Sequence, residues 1–146
     1  MSSRADETIR VLLIEDDAEF AEMYRLRLEA DEYVVEWARD GAEGLALAQT
    51  WGPDLIFLDI RMPKMDGLQL LERLRTEDDT RDLPVVVLSN YSDDGLRREG
   101  ERLGILEWRS KVDTTPRGMS SWIERWSGAL EAEDAQAGGP RADAGA

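Results

Sequence analysis

The chain has 146 residues, enough for one domain with its own core and too few for two. It contains no Cys and no His, which excludes disulfides, thiolate or Ser-His nucleophiles and any Cys- or His-ligated metal, so a metal must be held by oxygen, as hard cations such as Mg2+ are. A formal net charge of -14 argues against nucleic acid or an anionic membrane as partner, because either requires a basic face.

Residues 1–8 read as an extension without the apolar core of a signal peptide, and no apolar stretch reaches the roughly 20 residues of a membrane span. A cytoplasmic protein is expected. The domain proper spans 9–131 and begins with the apolar run Val11 to Ile14, a strand ended by Glu15 and Asp16. Asp17 reads as the N-cap of a helix in which Phe20, Tyr24 and Leu28 recur at intervals of four, with Met23 alongside. Tyr33 to Ala38 reads as the second strand, followed by the turn Arg39-Asp40-Gly41, a short helix from Ala42 to Gln49 and the breaker Gly52-Pro53.

Leu55 to Leu58 is the third strand, closed by Asp59, and the loop that follows leads through Arg61 and Asp66 to Gly67 and a helix carrying Leu68, Leu71 and Leu74. Val85 to Leu88 is the fourth, closed by Ser89 and Asn90, with Ser92-Asp93-Asp94 opening the next helix. Ile105 to Lys111 is interrupted by Glu107 and Arg109, an alternation that suits an edge strand. Thr115 and Pro116 supply an N-cap and first residue for the last helix, whose Met119, Trp122, Ile123, Trp126 and Leu130 share one face. Residues 132–146 are rich in Ala and Gly with no large apolar side chain, the composition of a disordered tail.

Continuous apolar runs suit parallel strands covered on both faces, and five strands alternating with five helices make a doubly wound α/β domain. Such sheets bind ligands beyond the carboxyl ends of their strands. Glu15, Asp16, Asp59, Ser89 and Lys111 all fall at that end, bringing together three carboxylates, a hydroxyl and an amine. Trp37, Trp51, Trp122 and Trp126 read as core anchors without a functional role.

The segments Leu13-Ile14-Glu15-Asp16-Asp17, Pro53 to Pro63 with Met65-Asp66-Gly67, Val87-Leu88-Ser89 and Lys111 occur in this order. They resemble the receiver domain of two-component response regulators, particularly the single-domain type, and the resemblance covers about Ile9 to Leu130. It implies a flavodoxin-like (βα)5 fold with strand order 2-1-3-4-5. It also implies phosphoryl transfer to Asp59 from the phosphohistidine of a sensor histidine kinase or a histidine phosphotransfer protein. Mg2+ would be held by Glu15, Asp16, Asp59 and the backbone carbonyl of Arg61, with Asp16 as a direct ligand and Glu15 acting directly or through water. Lys111 would contact one phosphoryl oxygen and the Ser89 hydroxyl another, and the Ser89 bond would be the switch.

Movement of Ser89 then implies reorientation of an aromatic on the fifth strand, here Trp108, and a reshaped surface on the fourth helix, fifth strand and fifth helix. Three residues depart from the family pattern. Trp108 stands where Tyr or Phe is usual, and is either a switch or a packing residue fixed inward or outward. Val112 follows Lys111 where a cis proline is frequent, so a trans bond and a differently shaped loop are expected. Asn90 stands where a small residue is common, and would either slow phosphorylation or influence the water that hydrolyses the acyl phosphate. Arg61, beside the acceptor, could steer or screen an incoming anion.

The resulting expectation is a stand-alone receiver, monomeric or dimeric through its fourth-helix to fifth-helix face, acting on an unidentified output protein and catalysing only its own phosphorylation and dephosphorylation. One competitor is a receiver-like docking module independent of phosphorylation. Another is a metal-dependent phosphatase with an Asp nucleophile, which would want a second carboxylate where Arg61 stands.

Overall fold

Five strands, β1 (Arg10–Ile14), β2 (Val34–Ala38), β3 (Leu55–Asp59), β4 (Val85–Ser89) and β5 (Glu107–Ser110), form one parallel sheet in the order β2-β1-β3-β4-β5. They alternate with α1 (Ala18–Ala30), α2 (Gly41–Thr50), α3 (Gly67–Thr76), α4 (Asp94–Arg102) and α5 (Pro116–Gly145). This computed structural model describes residues 8–62, 65–90 and 94–145, with side chains through 133. The extension at 1–7, Pro63-Lys64 in the loop after β3 and Ser92-Asp93 ahead of α4 lie outside the described residues. The expected fold class and strand order are those found.

Successive side chains of a strand point to opposite faces, so each apolar run feeds two cores. On one face Val11, Leu13, Leu55, Phe57, Val86 and Leu88 meet Tyr24 and Leu28 of α1 and Met119 and Ile123 of α5. On the other Leu12, Ile14, Ile56, Leu58 and Val85 meet Leu70, Leu71 and Leu74 of α3, with Ala48 of α2. All five residues of β3 and of β4 are buried, whereas all four of β5 are half-buried, as its place at the sheet edge requires. At about 1.5–3 kcal/mol for each fully buried large apolar side chain, β3 and its neighbours fix the frame.

Helix starts are marked as the sequence suggests. Asp17 accepts from the amides of Glu19 and Phe20, Asp40 from Glu43, and Thr115 Oγ1 from Gly118; Asp66 forms a capping box with Gln69. At the other end of α1, Tyr33 N–H donates to Leu28 O and Glu32 N–H to Glu29 O, the paired bonds of a Schellman motif. Its left-handed position is held by Glu32 at φ 72° instead of glycine.

One strand boundary differs from that read in the sequence. β5 is shorter than 105–111, because Ile105 turns to pack with Leu103 on the α3 side and Lys111 lies in the turn beyond the strand. α5 runs from Pro116 to Gly145, and it joins the core through Met119, Trp122 and Ile123, with Trp126 packed beside them.

Candidate functional site

β1 and β3 are neighbours, with Ile14 opposite Leu58, so Glu15, Asp16 and Asp59 leave the sheet at adjacent points. Glu15 is anchored on both sides of its peptide by β2. Its N–H donates to Ala38 O at 2.9 Å and its carbonyl accepts from Trp37 Nε1 at 2.7 Å. The side chain is fully buried, with Oε2 accepting from Asp17 N–H at 3.1 Å. Asp59 is buried as well, and its Oδ1 accepts from Arg61 N–H at 3.2 Å.

The backbone of Asp59 is pressed from outside by the first residue of α3. A Cβ at Gly67 would lie 2.6 Å from Asp59 O and 2.7 Å from Ile60 Cα, so only glycine admits this approach. Gly67 N–H donates to Ile60 O at 2.8 Å and seals the turn that carries the carboxylate.

Lys111 enters from the far side of β4. Its N–H donates to Ser89 O at 3.0 Å, and its ammonium reaches across to Glu15 Oε1 at 2.8 Å and Asp59 Oδ2 at 3.6 Å. The contact with Glu15 is an ion pair lacking the direction of a hydrogen bond, which leaves Oε1 a buried oxygen without a directed donor. The same ammonium lies 4.3 Å from the centroid of the Phe20 ring.

Burial dominates the electrostatics. It pushes the Glu15 carboxyl up to about 7, against the opposing pull of Lys111 and with the help of the Asp59 charge. It raises Asp59 also, Lys111 again opposing. For Lys111, burial alone would lower the ammonium, but the carboxylates of Glu15 and Asp59 outweigh it and the net direction is up.

One carboxylate oxygen from each of Glu15, Asp16 and Asp59 falls within 4.8 Å of the others, Asp16 being exposed and the other two buried. Among the described residues, Lys111 pairs with two of these three acids, Glu15 and Asp59. The crowding of like charge, the burial and the undirected Oε1 together fit a hard divalent cation, for which an all-oxygen set is the preferred one.

The remaining expected residues are distributed around this centre. Ser89 is buried at the end of β4, opposite Ser110. Asn90 and Arg61 are exposed, and Arg61 bonds Asp59 through its amide. Val112 is 79 % exposed, and the described residues contain no cis peptide bond, so the bond after Lys111 is trans. The loop beyond it is closed by Thr114, whose Oγ1 donates to Ser110 O at 2.7 Å and accepts from Arg109 Nε at 3.2 Å. Trp108 is half-buried, and the Cβ position of Gly100 in α4 lies 3.2 Å from its ring. It is thus packed against α4, neither sunk in the core nor free in solvent.

Two further residues take part. Trp37, expected as a core anchor, also binds the Glu15 carbonyl, and Phe20, expected in the apolar stripe of α1, faces Lys111. The one available signal for Phe20 was its place in the first turn of α1, directly after the acidic cluster.

A family model for the response regulator receiver domain matches residues 11–114. Over 80 residues the chain is 42% identical to the DNA-binding dual master transcriptional regulator RpaA of Synechocystis sp., covering 55% of this chain and 33% of that one. Over 82 residues it is 39% identical to the response regulator MprA of Mycobacterium ulcerans, covering 56% and 34%. The chain therefore spans about a third of the length of these curated relatives. Among solved structures, the chemotaxis protein CheY4 of Vibrio cholerae superimposes with a TM-score of 0.75 at 28% identity, over 82% of this chain and 98% of that one. Among the described residues no helix is long and apolar enough to cross a membrane.

Proposed function

This chain belongs to the response regulator receiver domain family, and from that membership we propose that Asp59 accepts a phosphoryl group from a phosphohistidine and that acceptance alters a protein-binding surface on α4, β5 and α5. Receiver domains are phosphoacceptor signalling domains rather than enzymes in the usual sense. They typically use Mg2+ and interact with histidine kinases or histidine phosphotransfer proteins.

The observation that carries the reading is the convergence of Glu15, Asp16 and Asp59 with the ammonium of Lys111 at the carboxyl end of the sheet. Glu15, Asp16, Asp59 and the Arg61 carbonyl would hold Mg2+, whose charge, when bound, would neutralise the carboxylates and the phosphoryl oxygens. A carboxylate oxygen of Asp59 attacks phosphorus as the P–N bond to the donor imidazole breaks, and the imidazole nitrogen keeps the bonding pair and takes up a proton. Lys111 exchanges Glu15 for a phosphoryl oxygen, and the Ser89 hydroxyl donates to another. Because Trp108 rests on Gly100, displacement of β5 is passed to α4.

The test is phosphoryl transfer from a histidine kinase to the chain and to Asp59→Asn. Mg2+-dependent labelling of the wild type and none of the variant is expected; labelling that persists in Asp59→Asn would sink the assignment.

A docking role independent of phosphate draws on one observation, the packing of Trp108 on Gly100, which can hold the α4-β5 surface in a single arrangement. A tryptophan fluorescence titration with Mg2+ and a phosphoryl analogue separates the two. A response that Asp59→Asn abolishes supports the switch, and a silent titration supports docking.

A further inference from the structure

A lysine ammonium is a point charge on a flexible four-carbon stem, so its position is decided by what surrounds it. Among the described residues, three groups surround the Lys111 ammonium. Two are carboxylates, Glu15 at 2.8 Å and Asp59 at 3.6 Å. The third is the uncharged face of Phe20, whose quadrupole attracts a cation over the ring, here at 4.3 Å.

Phe20 is itself held in place. Its ring stacks on Tyr24 with centroids 4.1 Å apart and planes 19° from parallel, and the Tyr24 hydroxyl donates to the carbonyl of Thr114, in the loop that follows Lys111. The ammonium, the two rings and the loop thus form a closed circuit between α1 and the end of β5. Tyr24 is buried, so the circuit is fixed at its inner corner while Phe20 stays half-buried beside the acids.

The three contacts respond differently when the site is used. Glu15 and Asp59 are the groups a cation and a phosphoryl group would engage, so their hold on the lysine weakens as the site fills. The uncharged ring is a ligand for neither. We propose that Phe20 is a positioning residue for Lys111, keeping the ammonium over the Asp59 side of the site when the carboxylates are drawn to other charges. This rests on Asp59 being the phosphoacceptor, and its test has one arm that does not.

Lys64 and Lys111 are the only lysines in the chain. Labelling lysine with 13C at Cε therefore gives two methylene signals, and a ring 4.3 Å from Nζ shifts the Lys111 protons upfield from the Lys64 pair. That shift is expected to disappear in Phe20→Leu and to persist in Phe20→Tyr. In the second arm, the rate of Mg2+-dependent phosphorylation by acetyl phosphate is expected to fall about 3- to 30-fold in Phe20→Leu, the range of a partly to fully desolvated cation–π contact, and to be restored in Phe20→Tyr. Phe20→Met serves in place of the leucine variant where that fails to fold, with the same expectation.

An unshifted Lys111 signal in the wild type, or equal losses in the leucine and tyrosine variants, overturns the positioning role. An unchanged labelling rate in Phe20→Leu overturns it too, while leaving Asp59 as acceptor. A wild-type chain that takes no label removes both.

Discussion

Lys111 Nζ stands 2.8 Å from Glu15 Oε1 and 3.6 Å from Asp59 Oδ2, so this ammonium is engaged first with the more deeply buried of the two acids. Removing it leaves two buried carboxylates facing each other. Lys111→Met is therefore expected to lose about 3 kcal/mol of stability in metal-free buffer above neutral pH, the scale of a buried pair broken on one side. The loss shrinks at acid pH, where Glu15 takes a proton, and also when Mg2+ is added. Urea unfolding with and without Mg2+ measures both effects, and a loss independent of metal and pH would contradict them.

The pH dependence has a defined sign. Burial, outweighing the pull of Lys111, raises the Glu15 carboxyl from 4.5 to about 7, so between those values the folded chain keeps a proton that the unfolded chain releases. Stability from this group is highest below 4.5, falls as pH rises to about 7 and is level beyond. Mg2+ must displace that proton, so its affinity rises over the same window. Titration calorimetry in buffers of different ionisation enthalpy should find proton release on Mg2+ binding inside the window and almost none well above it.

Gly67 and Gly44 look alike in sequence but face different neighbours. At Gly67 an added Cβ meets the backbone of Asp59 at 2.6 Å, whereas at Gly44 it meets Cδ1 at the tip of Ile14 at 2.8 Å. Backbone cannot yield as a methyl can. Gly67→Ala is expected to cost about 2–4 kcal/mol and to weaken Mg2+ binding by displacing Asp59. In Gly44→Ala, by contrast, the gain in helix propensity offsets the repacking, to within about 1 kcal/mol. Chemical denaturation of the pair, with Mg2+ titrations of each, decides the point.

The C-terminus of α1 holds a correctable strain. Glu32 adopts φ 72° at the Schellman position, a conformation that is unfavourable for any residue with a Cβ and free for glycine. Glu32→Gly should stabilise the domain by roughly 0.5–1 kcal/mol after the added entropy of the unfolded chain is subtracted. Thermal unfolding reads this directly, and phosphorylation at the opposite end of the sheet should not change.

The strands and the clustering of acids at their carboxyl ends were legible because both follow from local rules. Leu55 to Leu58 is a buried run, Asp59 ends it, and the order of elements carries Glu15, Asp16, Ser89 and Lys111 to the same edge. Helix starts at Asp17 and Thr115 were readable for the same reason, since a cap involves residues within one turn. Contacts between distant segments were not. The bond from Trp37 to the Glu15 carbonyl crosses 22 positions, and the Phe20 ring meets a lysine contributed by the opposite side of the sheet. Hydrophobic periodicity assigns both aromatics to a core, and only the tertiary fold separates an aromatic that fills space from one that holds a charge.

The burial of the sheet is uneven: β3 and β4 have no exposed residue, while every residue of β5 is partly open. Mechanically this is a stiff anvil with a compliant rim. Under the function proposed above, a covalent group added at Asp59 would land where displacement is most strongly resisted. At the β5 edge Trp108 leans on α4 and Glu107 accepts from Trp122 Nε1 of α5 at 2.5 Å. Under the function proposed above, a shift of this edge would move α4 and α5 together, because neighbouring residues of one short strand hold both.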